Sequence, residues 1–162
     1  MAPTPYHVLF LCTGNSVRSI MAESLMAHLG QGRFVAHSAG SHPAGRVHPQ
    51  ALATLESLGL PTAGLGSKHW DTFAAPDAPP LDFVFTVCDR AAGETCPVWP
   101  GQPISAHWGV ADPGHGEGDP TQHFLDAAWV LKRRIELFLA LPLSSLDRLS
   151  LQRQLQSIGQ QP

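Results

Sequence analysis

The chain is short of charge. Asp, Glu, Lys and Arg make up only 14% of its 162 residues, the formal net charge is −3, and the isoelectric point lies near 6.3. That balance carries no electrostatic footprint for a nucleic acid. The densest basic run, Lys132-Arg133-Arg134, reads as the solvated face of a helix. Also missing is any apolar run long enough for a transmembrane helix, so no membrane partner is expected. The start, Met1-Ala2-Pro3-Thr4-Pro5-Tyr6, lacks the charged and apolar regions of a secretory signal, and the cytoplasm is the expected location. Tyr6 is the only tyrosine, and the nine histidines form no close pair that would suggest a metal centre. Cysteine is scarce as well. Cys12, Cys88 and Cys96 are an odd count, which argues against a disulfide framework and for catalytic or redox use. Zinc is a poor reading because Cys88 and Cys96 are too far apart for the usual close ligand pair. With 43% hydrophobic residues and no repeat or linker, one domain over residues 1–162 is expected, holding no tightly bound cofactor.

Against that sparse background one stretch stands out: Cys12-Thr13-Gly14-Asn15-Ser16-Val17-Arg18-Ser19. It follows the apolar run Tyr6–Leu11 and precedes a helical pattern starting near Ser19. A strand that ends at a thiol, a loop of small residues and a helix that starts at an arginine aim backbone N–H groups and a helix dipole at one point. A tetrahedral oxyanion fits there, wrapped by Thr13, Gly14, Asn15, Ser16, Val17 and Arg18, with the Arg18 fork on two of its oxygens. The same field favours a thiolate, so the Cys12 pKa is expected to fall from about 8.5 into a range of roughly 3.5–7.5. Taken singly, a strand-end cysteine is an ordinary small hydrophobe, and Gly-Asn is an ordinary loop pair. The joint pattern is what points to sulfur attacking an oxyanion.

Strands are expected at about Tyr6–Leu11, Arg33–Ser38, Leu81–Val87 and Ile104–Trp108. Helices are expected from Ser19 to Gly30, from Pro49 to Gly59, and from Pro120 to Pro142. The last of these carries Phe124, Ala128, Leu131, Ile135 and Phe138 at helical period. Lys68–Phe73 can hold a short helix, and Leu146–Ile158 a final amphipathic one. Alternating strands and helices imply a parallel α/β sheet with right-handed crossovers. Ligands of such sheets bind beyond the carboxyl ends of the strands. Cys12, Cys88 and Asp112 each come just after a strand, so they are expected to converge on one edge of the sheet.

Four segments together resemble the low-molecular-weight protein tyrosine phosphatase family, and within it the arsenate reductase branch. They are Phe10 through Glu23, Ser38-Ala39-Gly40, Val87-Cys88 through Cys96-Pro97, and His107-Trp108-Gly109-Val110-Ala111-Asp112-Pro113. The resemblance covers about Tyr6 to Leu141 and leaves 142–162 as a helical tail. It implies a three-layer α/β sandwich around a four-stranded parallel sheet of flavodoxin-like order 2-1-3-4. It further implies that Cys12 attacks arsenate, with phosphate and sulfate as mimics. Arg18 and the loop amides would hold the anion, Ser19 would donate to the thiolate, and Asp112 would protonate the departing hydroxide. Cys88 would then attack Cys12 and Cys96 would attack Cys88, each step a thiol–disulfide exchange. The final electrons would come from an external thiol: thioredoxin, glutaredoxin with glutathione, or mycothiol. The resemblance also implies a potassium site at Asn15, Glu23, Ser38 and Asp71, and a monomer.

Two departures bear on this reading. Val17 stands where many relatives carry a second cysteine, and seven residues separate Cys88 from Cys96, one more than in thioredoxin-linked members. Cys96 as a plain loop thiol therefore stays open, as does the electron donor. The enzymatic alternative is a phosphotyrosine phosphatase, which shares Cys12, Arg18, Ser19 and Asp112 without requiring Cys88. Such enzymes usually set tyrosines beside the acid, whereas here Pro113-Gly114-His115-Gly116-Glu117-Gly118 follows it. A metalloid-binding or redox-sensing module would explain the thiols but leave Arg18 and Asp112 without purpose.

Overall fold

A computed structural model of the chain describes residues 4–88, 99, 102–114 and 117–161. Its elements in order are β1 (Tyr6–Leu11), α1 (Arg18–Leu29), β2 (Phe34–Ala39), α2 (Pro49–Ser57), a 3-10 turn (Trp70–Phe73), β3 (Phe83–Thr86), β4 (Ile104–His107), α3 (Pro120–Leu139) and α4 (Arg148–Gly159). The four strands form one parallel sheet in the order β2-β1-β3-β4. Architecture and order are those that the motifs imply. β3 is shorter than the apolar run that encodes it. Ladder pairing covers only Phe83–Thr86, opposite Val8–Leu11 on one side and Ile104–His107 on the other.

The helix boundaries follow local chemistry. Pro49 and Pro120 open their helices, where a missing N–H costs nothing, and the preceding His48 and Asp119 accept from Gln50 N and Thr121 N. Asp147 caps α4 by accepting from Ser150 N at 2.7 Å. α1 stops at Gly30, where a Cβ would lie 2.9 Å from the Phe34 ring and 3.0 Å from the Met26 carbonyl oxygen.

Strand alternation divides the apolar residues between two cores of unequal size. Val8, Phe10, Phe83, Phe85, Ile104 and Ala106 face a core to which all four helices contribute. Leu9, Leu11 and Val84 face the opposite side, where Trp70, Phe73 and Leu81 cover them with Trp99 packed against the group. Within the larger core Trp108 is fully buried and stacks on Phe85, with ring centroids 3.7 Å apart.

The periodic residues of α3 are buried as their spacing predicts, but one basic residue departs from expectation. Arg134 is only 6% exposed rather than solvated. It lies three residues after Leu131 and four before Phe138, so helical geometry places it on the buried stripe. Among the described residues no helix is long and apolar enough to cross a membrane.

Candidate active site

The loop after β1 turns its carbonyls outward. The oxygens of Thr13, Gly14 and Ser16 accept from His42 N, Ala44 N and His48 N at 2.8–3.0 Å, and Ser67 Oγ adds a second donor to Gly14 O. With its acceptors engaged on the outside, the loop keeps N–H groups for an anion inside. Asn15 sits at φ 45° and is fully buried. Its Oδ1 accepts from Lys68 N at 2.8 Å and its Nδ2 donates to Ser19 Oγ at 2.8 Å. Ser19 thus lies within the first turn of α1, and with its oxygen engaged by Asn15 its own hydroxyl proton is left to donate. Gly40 closes the loop from behind. A Cβ there would come within 2.4 Å of Thr13 O and 2.6 Å of Cys12 O, so only glycine permits this approach.

The strand ends then meet. Cys12, Thr13, Gly14, Ser16, Val17, Arg18, Cys88 and Asp112 line one cavity of about 430 Å³. Cys12, at the end of β1, and Cys88, just beyond β3, are both thiols outside any disulfide, 5% and 2% exposed. Thr13 Oγ1 lies 3.6 Å from Cys88 Sγ. Arg18 donates from Nη1 to Val110 O at 2.9 Å, while its Nη2 stands 3.8 Å from Asp112 Oδ2. The other Asp112 oxygen accepts from Gly114 N at 2.9 Å. The cavity therefore offers a fixed cation, two sulfurs and a carboxyl group to one small anion.

The protonation of Cys12 corrects the expectation from sequence. Its thiol is pushed up, above the ordinary thiol range. The causes are its hydrogen bond with Cys88, then burial, then the charge of Cys88, which together outweigh Arg18 and the Gly14 N–H. The loop alone would favour a thiolate, but a second sulfur in contact changes the balance. Arg18 and the loop favour one thiolate in the pair, and that charge opposes a second.

The expected potassium ligands are only partly assembled. Glu23 and Ser38 meet through a hydrogen bond of 2.5 Å from Ser38 Oγ to Glu23 Oε1. An ammonium group stands beside them. Lys68 Nζ donates to Gly66 O at 2.9 Å and Ser38 O at 3.1 Å, and lies 4.0 Å from Glu23 Oε1. Asp71 turns away, with its side chain 72% exposed and a carboxylate oxygen 3.4 Å from His69 Nδ1. Burial pushes the Glu23 carboxyl up, against the pull of Ser38 and Lys68. Among the described residues no cluster of three or more His, Cys, Asp or Glu could hold a metal ion. Lys68 was missed in the sequence reading. Its one signal was rarity, since it and Lys132 are the only lysines. Cys96 lies outside the described residues.

Comparison with known proteins places this geometry. A profile described as "Low molecular weight phosphotyrosine protein phosphatase" matches residues 7–150. The chain is 33% identical over 133 residues to the glutaredoxin arsenate reductase of Synechocystis sp., covering 82% of this chain and 95% of that protein. It is 33% identical over 120 residues to the arsenate reductase of Shouchella clausii, covering 73% and 81%. Among solved structures, an arsenate reductase in the phosphate-binding state superposes with a TM-score of 0.70 at 32% identity, covering 83% of this chain and 97% of the other. A thioredoxin-dependent arsenate reductase of Corynebacterium glutamicum superposes at 0.64 with 27% identity, over 90% and 66%.

Proposed function

Because the chain belongs to the low molecular weight phosphotyrosine protein phosphatase family, we propose that it reduces arsenate to arsenite through Cys12 and Cys88. The observation that carries this reading is the second buried thiol in the anion cavity, in contact with Cys12. Hydrolysis of a phosphate ester needs one sulfur; a two-electron reduction needs two. The names of the relatives support the same choice.

In the proposed cycle Arg18 and the loop N–H groups bind arsenate, and the Cys12 thiolate attacks arsenic. Asp112 gives its proton to the departing oxygen, which leaves as water. The Cys88 thiolate then attacks Cys12 Sγ. The sulfur–arsenic bond breaks with its electron pair kept by arsenic, so arsenite leaves and a Cys12–Cys88 disulfide remains. An external thiol restores both cysteines, either through Cys96 or directly at Cys88. Relatives named for glutaredoxin and for thioredoxin support either donor. Turnover with thioredoxin compared with glutaredoxin plus glutathione decides between them. Such chemistry belongs to a reducing compartment, here the cytoplasm.

We propose that the Lys68 ammonium takes the part expected of potassium. It brings a tethered positive charge to Glu23 and Ser38, while the backbone N–H of the same residue fastens the loop through Asn15. Equal activity in potassium and sodium buffers supports this role, and a strict potassium requirement of the native chain overturns it.

The main test is to mix reduced protein with arsenate and map its disulfides by peptide mass spectrometry. A Cys12–Cys88 or Cys88–Cys96 bond with stoichiometric arsenite supports the relay. Unchanged thiols with steady hydrolysis of an aryl phosphate would favour the phosphatase instead.

A further inference from the structure

We propose that Arg134 and the C-terminal helix α4 act as a brace that positions the Asp112 loop, a role that rests on reading Asp112 as the proton donor. Asp112 follows directly on the backbone of residues 107–111. Its side chain is 38% exposed, and the distances to Arg18 and Gly114 N are 3.8 and 2.9 Å. Where its carboxyl group stands depends on where that backbone is held.

That backbone is held from outside the sheet at successive residues. Gly159 of α4 approaches His107 so closely that a Cβ would lie 2.2 Å from the His107 carbonyl oxygen. Trp108 donates from Nε1 to Leu155 O of α4 at 2.9 Å. Gly109 O accepts from Arg134 Nη1 at 2.7 Å, and Arg134 Nη2 donates onward to Gln161 O at 3.1 Å. Val110 O then accepts from Arg18, the anion-binding arginine itself. Two guanidinium groups thus grip consecutive carbonyls, one from the cavity and one from the core behind it.

Arg134 is an unusual choice for plain stabilisation. It is 6% exposed, no carboxylate among the described residues pairs with it, and its buried Nε has no partner. A buried cation answered only by carbonyls is costly. What it accomplishes is a bridge from the acid loop to the chain just past α4. Most of α4 also lies beyond the family match, which ends at residue 150.

The test is a double-mutant cycle in the full chain, pairing Arg134→Met with Asp112→Asn. Two rates are followed: arsenite formation, and carboxymethylation of Cys12 by iodoacetate, which uses the anion loop but needs no acid. Misplacing a catalytic group through a distant change costs about tenfold to a hundredfold. Arg134→Met should lower kcat for arsenate by about that factor with KM and carboxymethylation little changed, and should cost nothing more in the Asp112→Asn background. Arg134→Lys, which keeps a donor for Gly109 O, should recover most of the rate, and Gly159→Ala should repeat the loss. An equal loss in both backgrounds, or a parallel slowing of carboxymethylation, overturns the brace. If Arg134→Met does not fold, Gly159→Ala is judged by the same criterion. A full rate in Asp112→Asn alone strikes the reading of Asp112 first and takes the brace with it.

Discussion

The loop after β1 and the loop after β4 reach the same cavity by different means. The first is a local design. Within Cys12–Arg18 the proposed nucleophile, the proposed anion cradle and the arginine arrive together, and the neighbouring segments at 40–48 and 67–68 hold the carbonyls and Asn15 from behind. The second brings one useful group, Asp112, on a stretch positioned by α1, α3 and α4. A cradle that must present several N–H groups at once has to be contiguous, whereas a single proton donor can be delivered by whatever backbone the fold sets there.

Substitutions can press on each loop separately. Arg18 belongs to both, as the proposed anion fork and as the partner of Val110 O, so Arg18→Lys should have the largest effect. We expect a loss of about 10²–10³ in kcat/KM for arsenate, with weaker competition by phosphate, measured by steady-state kinetics. A near-normal rate would mean that the loop N–H groups suffice and that the two loops are independent. Asp112→Asn should touch only the second loop. About 10²-fold is expected from kcat, with phosphate affinity nearly unchanged in a calorimetric titration.

Gly40→Ala should touch only the first loop. Its Cβ meets the Thr13 and Cys12 carbonyls at 2.4 and 2.6 Å, so the loop must shift. A stability loss of about 1–3 kcal/mol is expected by denaturant titration, together with weaker phosphate binding. The smallest effect should come from a residue outside both loops. Burial first, then His7 and Lys68, hold the His37 imidazole down from 6.5 to about 4. The folded protein thus resists a proton that the unfolded chain accepts. The resulting stability is present above pH 6.5 and lost as pH falls toward about 4. His37→Gln should flatten denaturation midpoints across that window. Glu23, pushed up by burial, works in the opposite sense, so the difference between variant and native chain is the quantity to read.

The contrast between the loops also explains what could be read in advance. Strand and helix positions and the anion loop were legible because each is encoded by neighbours in sequence: alternating or helical hydrophobic spacing, a capping Asp, an opening Pro. The meeting of Cys12, Cys88 and Asp112 followed from a topological rule about strand ends. Lys68 was not legible, because nothing local marks a lysine whose partners are Ser38 O and Glu23. Arg134 was misread, because a run of three basic residues hides that helical geometry sends its last member inward.

By itself, then, the sequence determined the parallel α/β architecture and the thiol-bearing loop proposed as nucleophile and oxyanion cradle, since both rest on short-range patterns of residue type. Only the tertiary structure decided that contact with Cys88 pushes the Cys12 thiol up, that the Lys68 ammonium stands beside Ser38 and Glu23, and that Arg134 links Gly109 to the chain just past α4. Each of these depends on distances between residues far apart in the chain. Electrostatic and hydrogen-bond energies vary with such distances over fractions of an ångström, and spacing along a sequence does not encode them.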